Sequence, residues 1–343
     1  GLPVYVPPGR SYDTTIFADY YADGFFGFGN SWRWAPVQGA FGEVNLYAIW
    51  DRAEEKVEWK VFGRHAQEDF LGFRLLAQVE NLSDEELWQD FDRSFDANTR
   101  RDLYSFVYLT RSFGPYALNL RADHRKTFLT QNDVVLTQIP EIEIRSGATP
   151  IANSPVYLNL IGSLSYLAPD RGGDLTSSYG RADLLPTFSY TLPGPPWLSI
   201  TPRLGGRFTH YTQQYELDSF GRPTGFLDES LSRIYATGAV DIVGPSLSRV
   251  FEGGFGAYSK LKHLIEPRIE YRNLTTTTAV KRIPVFDEVD STPPDANLVN
   301  FVLANRLLGR AREGIGTREL ASLEFMQSYS FGTPLHLGDG VDT

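Results

Sequence analysis

The chain contains no cysteine, which excludes disulfides, thiolate metal sites and cysteine nucleophiles and removes the usual pointer to redox compartment. No run of 18 apolar residues occurs, so no transmembrane helix is expected. That absence leaves a β-barrel open, because a membrane strand needs an apolar residue only at every second position, and a mean hydropathy of −0.26 suits one. Positive charge is also short. The 42 acidic residues outnumber the 32 Lys and Arg, and a net charge of −10 argues against a nucleic-acid partner. Gly1 is followed by neither a charged nor an apolar leader region, so no signal peptide is read.

Catalytic signatures are missing as well. The five histidines form no H-x-H or HExxH pair, so a zinc site has no local support. There is no G-x-S-x-G elbow. GFFGFG (24–29) and GGFG (253–256) do not lie between a strand and a good helix, and read as strand or turn glycines. No catalytic residue, cofactor or metal is expected, and the chain is not read as an enzyme.

Strand formers and turn residues are plentiful. Aromatics make up 14%, with 31 Gly and 21 Pro against one Met, which favours an all-β chain. Period-2 alternation supports this. In Gly42–Asp51 the residues Val44, Leu46, Ala48 and Trp50 oppose Glu43, Asn45, Tyr47 and Asp51, and only Ile49 breaks the pattern. Phe70–Glu80 and Tyr116–Thr127 alternate likewise, the latter setting Leu118 and Leu120 against Asn119, Arg121, Asp123 and Arg125. In Arg181–Tyr211 two such runs flank a Pro-Gly-Pro-Pro turn, with Pro186 and Pro202 on their apolar faces and Arg203 and Arg207 on the polar face of the second. Leu264–Arg272 opposes Ile265, Pro267, Ile269 and Tyr271 to Glu266, Arg268, Glu270 and Arg272.

Short turns are expected at 7–10, 22–24, 67–69 and 114–115, and long polar loops at 81–101, 213–229 and 275–297. Ser83–Arg93 has a capping-box start and is the best helix candidate. About fourteen strands result, with no linker dividing residues 1–343.

An aliphatic strand face can pack on a second sheet or face lipid. Three features favour lipid: full charges in mid-strand, short turns alternating with long loops, and aromatics near strand ends (Trp32, Trp34, Trp50, Tyr116, Tyr190, Trp197, Tyr211, Tyr271). The expected architecture is therefore a large antiparallel transmembrane β-barrel. Arg121, Arg125, Arg203, Arg207, Glu266 and Arg268 are its candidate lumen-facing polar residues. Each arginine can serve either in an ion pair with a neighbouring strand or as a forked donor to sugar and phosphate. A passive porin or receptor-type barrel and a soluble all-β carbohydrate-active protein are the alternatives.

Several segments, in order, resemble the LptD family of lipopolysaccharide-assembly proteins. They are LPVYVPPGRSYDTTIFADYYADGFFGFGNSWRWAP at the start, the proline-bearing pair RADLLPTFSYTLP and PRLGGRFTHY, then ESLSRIYATGAVDIVG, HLIEPRIEYR and NLVNFVLANRLLGR (297–310). The resemblance implies a very large outer-membrane barrel that inserts lipopolysaccharide into the outer leaflet. A plug lipoprotein of the LptE type, periplasmic bridge proteins and outer-membrane lipids would be its partners. It also implies a lateral seam near which strand prolines weaken hydrogen bonding, and Pro3 matches one of these. Relative to the family pattern, the N-terminal periplasmic domain, the first strand and the C-terminal strands are not found in these 343 residues.

Overall fold

Alternating aliphatic and polar residues form strands because opposite faces of a pleated ribbon meet opposite surroundings. The computed structural model describes residues 2–21, 25–51, 55–84, 101–129, 133–254, 256–276, 280–291, 296–312 and 316–331. β1 (Leu2–Gly9), β2 (Tyr12–Tyr20), β3 (Phe26–Trp34), β4 (Ala40–Asp51) and β5 (Lys56–Phe70) open the chain. β6 (Phe73–Leu82), β7 (Asp102–Phe113), β8 (Tyr116–Thr127), β9 (Val134–Ser146), the short β10 (Thr149–Pro150) and β11 (Val156–Asp170) follow. Then come β12 (Tyr179–Tyr190), β13 (Ser199–Tyr211), β14 (Gln214–Leu217), β15 (Pro223–Leu227) and β16 (Leu231–Val243). β17 (Leu247–Phe251), β18 (Tyr258–Thr276), β19 (Ala296–Ala311) and β20 (Thr317–Ser330) end it.

Eighteen of these strands form one sheet, and β14 and β15 pair separately. Pairing is antiparallel throughout and follows chain order, interrupted only where β10, β17 and the β14–β15 hairpin are inserted. β1 pairs with β2 and β20 with β19, and among the described residues no pairing joins β1 to β20. The long connections 83–101, 212–230 and 277–295 all leave the same end of the sheet, as the strand order requires. The all-β reading holds. The strand count is corrected upward from about fourteen, because the short strands β10, β14, β15 and β17 add to the long ones and are too short to show an alternation.

The expected strand Phe70–Glu80 and turn 67–69 are also corrected. β5 continues through Gln67, Glu68 and Asp69, and the chain reverses at Leu71 (φ 55°) and Gly72 (φ 81°). Two consecutive positive φ values match the right-handed twist of a hairpin, and glycine takes one without cost. The Gly72 amide donates to Asp69 Oδ1 at 2.9 Å, which holds the reversal beyond the polar triplet instead of at it. Of the helix candidate Ser83–Arg93, all but Ser83 and Asp84 lies outside the described residues, as does the turn at 22–24.

The loop expected at 213–229 contains the β14–β15 hairpin. Its tip is tied by Asp218, whose Oδ1 accepts the Phe220 and Arg222 amides at 2.9 and 2.8 Å while Oδ2 accepts Arg222 Nε at 2.8 Å. The Arg222 amide leads in holding this carboxyl below the usual carboxylate range. A depressed carboxylate adds stability above its unfolded pKa, and that stability is lost as pH falls through the folded value. In a pH titration followed by NMR, the Arg222 amide is expected to move with a midpoint below about 3.9. A midpoint at or above that value contradicts the assignment.

Candidate functional site

The register stacks like-facing residues into rows across the sheet. One row runs Leu118, Ile144, Gly162, Leu184, Phe208 and Ile234 over β8, β9, β11, β12, β13 and β16. It is bare apolar surface, Leu184, Phe208 and Ile234 being 44%, 43% and 52% exposed. The residues one step along lie on the other face: Thr110, Asn119, Glu143, Ser163, Asp183, Thr209 and Arg233, on β7, β8, β9, β11, β12, β13 and β16. Thr110 Oγ1 donates to Asn119 Oδ1 at 2.7 Å, and Asn119 Nδ2 to Glu143 Oε1 at 2.8 Å. Farther along, Arg233 Nη2 donates to Thr209 Oγ1 at 2.8 Å and that hydroxyl to Asp183 Oδ1 at 2.7 Å. The sheet therefore has one greasy side and one hydrogen-bonded side.

Every charged candidate from the sequence except Arg125 sits in an ion pair with a neighbour on the polar side. Arg121 Nε lies 2.6 Å from Asp123, and Arg203 Nη2 lies 3.0 Å from Asp241 on β16. Arg207 Nε is 2.9 Å from Asp183 on β12, and Arg268 Nε is 3.0 Å from Glu270. Glu266 lies 3.6 Å from Arg306 on β19. Arg125 instead stacks over the Tyr104 ring, its guanidinium carbon 4.9 Å from the centroid. Of the two roles open to these arginines, the geometry displays the ion pairs. The pairs whose arginine is partly exposed contribute only about 0–1 kcal/mol each, whereas Arg207–Asp183 is largely buried. Pro3 pairs with Phe17 within a ladder that runs Leu2 to Val6 and breaks before Gly9.

The proline strands differ from one another. On the β11 side the β12 ladder is unbroken from Val156–Tyr190 to Leu167–Tyr179, passing through Leu160–Pro186. On the β13 side it skips Leu185 and Pro186, between Leu184–Phe208 and Thr187–Gly205. The missing proline donor thus falls on the β13 side. Pro202 pairs with Val240 inside a continuous ladder to β16.

Sequence reasoning missed the most buried part of the polar side. Residues 280–291, in the connection after β18, fold back over β12, β13 and β16. Ile283 is 1% exposed and packs with Leu167, Tyr179 and Tyr211, joined by Phe226, Leu231 and Phe286. Arg181, with a fully buried side chain, donates through Nη1 and Nη2 to Asp287 at 2.7 and 2.8 Å and through Nη1 to both oxygens of Asp290 at 2.9 and 3.0 Å. Asp290 also accepts the Tyr211 hydroxyl at 2.9 Å and the Phe286 amide at 2.8 Å. Arg233 caps the segment's carbonyls, donating to Val289 O at 2.6 Å and Asp290 O at 3.0 Å. Tyr211, expected in an interfacial aromatic band, belongs to this buried cluster instead, because its place in β13 puts it on the polar side. The available signal was Ile283 and Phe286, two large apolar residues inside an otherwise polar stretch.

The family model for LptD, LPS transport system D, matches residues 56–309. The chain belongs to the LptD family. The match to LptD runs from the first residue of β5 into β19 and so covers the proline strands, the Arg181 cluster and the segment over it. The opening motif with Pro3 precedes it. No curated protein matches the chain. Among solved structures, OmpT (in-vitro folded), an outer membrane protein of Vibrio cholerae, is similar over 96% of this chain and 95% of its own, with 7% identity and a TM-score of 0.31. A likeness that low bears on neither architecture nor activity.

Proposed function

We propose that this LptD-family chain forms the wall of an outer-membrane β-barrel that delivers lipopolysaccharide to the outer leaflet, without enzymatic activity. The observation that carries the reading is the two-sidedness of a sheet of this size in a member of this family. Its aliphatic rows are bare on one side, as lipid contact demands, and its charges are paired on the other, as a wet lumen permits. β4, β7, β8, β12 and β13 have 12 or 13 residues, and a tilted membrane strand needs about 9–11.

Residues 1–343 act as one part of the barrel domain. Arg121, Arg125, Arg203, Arg207, Glu266 and Arg268 line the lumen, where acyl chains need an apolar route and the phosphorylated sugar a polar one. Pro3 lies in β1, beside the seam through which lipid leaves. A plug lipoprotein of the LptE type and the periplasmic bridge proteins are the partners in this reading. Depletion of the full-length protein is expected to remove newly made lipopolysaccharide from the cell surface, read by accessibility to an impermeant modifying reagent. Unchanged surface levels sink the proposal.

A further inference from the structure

Three aromatic rings stand together on the polar side, far from the Arg181 cluster in sequence. One row of that side runs Phe17, Gly29, Tyr47 and Lys60 over β2, β3, β4 and β5. The next sets Phe62 of β5 between Asn45 of β4 and Glu80 of β6. Phe17, Tyr47 and Phe62 are each half-buried, and Phe17 and Tyr47 lie near parallel over the glycines of β3. Half-exposed rings on a wet wall leave apolar surface against water, and a patch of that kind marks a place where something binds. Here the three rings line a cavity of about 400 Å³, within the roughly 300–1,000 Å³ of small-molecule sites.

The polar groups of the cavity decide what it takes. Asp19, Asn45, Lys60 and Glu80 line it beside the rings. Two carboxylates disfavour a phosphate, and a purely apolar chain would strip water from all four groups with nothing in exchange. A neutral pyranose suits both halves of the lining. Its C–H face is slightly positive and packs on the negative face of an aromatic ring. Its rim of hydroxyls donates to carboxylate and amide oxygens and accepts from ammonium and amide N–H groups. A carboxylate has about four lone-pair sites, so it can hold a protein partner and a sugar hydroxyl together. Asp19 already accepts the Tyr47 hydroxyl at 2.5 Å.

The cavity also lies where a saccharide would pass. Leu82 and Leu103, which line it too, flank the long connection 83–101, and long loops belong to the outward end of an outer-membrane barrel. β2, which supplies Phe17 and Asp19, is the strand paired with β1. We infer that this cavity is a neutral-sugar site, holding one pyranose of the cargo's saccharide near the outward end of the lumen. This inference rests on the lipopolysaccharide reading above, in which acyl chains leave by the seam beside β1 while the saccharide stays on the wet side. Binding is noncovalent, and no bond is made or broken.

The test uses the full-length protein in a polyoxyethylene detergent, which has no sugar headgroup to compete. The probe is the lipid-free saccharide released from lipopolysaccharide by mild acid, followed by saturation-transfer NMR. Transfer from the protein to C–H protons of the probe is expected. Phe62→Leu keeps an apolar side chain but loses the ring, and should weaken binding about three- to tenfold. Phe62→Tyr should bind as the parent does. Phe106→Ala removes a ring from the same side of the sheet but outside the cavity, and should change nothing. Heat-modifiable mobility on gels checks that each variant is folded.

No transfer, or equal binding by the parent and folded Phe62→Leu, overturns the site. A loss with Phe106→Ala as large as that with Phe62→Leu overturns its placement. Maltohexaose is the second probe, and binding as tight as that of the cargo saccharide overturns the assignment to the cargo. The two readings fail separately. A failed lipopolysaccharide reading leaves surface levels unchanged on depletion, whereas a failed sugar site leaves the probe silent in a protein whose depletion still empties the surface.

Discussion

Replacing Arg181 by alanine is expected to cost about 3–5 kcal/mol of stability, the range for removing one partner of a buried ion pair. The size follows from what is left behind. Asp290 has a fully buried side chain, and it would keep the Tyr211 hydroxyl and two backbone amides but lose the guanidinium bonded to both its oxygens. Arg33→Ala is the matched control. Arg33 is paired at 2.7 Å with Asp13 but has 53% of its side chain exposed, so water replaces the lost pair and the midpoint should barely move. Urea midpoints in lipid vesicles, read by heat-modifiable mobility, separate the two. Equal shifts would mean that the Arg181 cluster is no better sealed from water than the rim.

Gly29→Val is expected to destabilise by about 1–3 kcal/mol through overpacking. Gly27 and Gly29 of β3 leave a flat slot in the polar side. The Phe17 and Tyr47 rings lie over it from β2 and β4, their centroids 6.0 Å apart and their planes 24° from parallel. A Cβ at Gly29 would run into both rings, and one at Gly27 into the Tyr47 hydroxyl. That hydroxyl donates to Asp19 Oδ2 at 2.5 Å and meets Tyr21 at 3.0 Å, so displacing the ring also breaks a polar contact. Adding Phe17→Ala should recover part of the loss, because residues in contact couple. Gly147→Ala, with open space where the Cβ would go, should be near neutral. A neutral Gly29→Val would show that the rings are not seated on the glycines.

What could be read in the sequence was whatever depends on period 2. Tyr116–Thr127 is β8 without adjustment, and the faces assigned to Arg121, Arg203, Arg207, Glu266 and Arg268 follow from parity alone. Their ion-pair partners follow from register, which depends on where each turn closes. A displaced turn such as that at Leu71–Gly72 cannot be seen in an alternation count. The buried cluster was illegible for a different reason. Arg181 and Asp290 lie 109 positions apart and meet only because a loop folds back across the sheet. Local pattern carries no record of such a contact, and an acidic, proline-rich stretch reads as a solvated loop until Ile283 and Phe286 are given somewhere to go.

The pairing of charges along the polar side also has a long-range meaning. Arg203 beside Asp241, Arg268 beside Glu270 and Arg207 beside Asp183 are short dipoles whose fields cancel within a few ångströms. At physiological ionic strength the Debye length is about 8 Å, so an ion travelling down the middle of a wide pore would barely sense such a wall. A lining of this kind neither draws in nor repels small electrolytes, and salt should change its selectivity little. The pairing leaves the wall beneath residues 280–291, where Arg181 meets Asp287 and Asp290 of the covering segment.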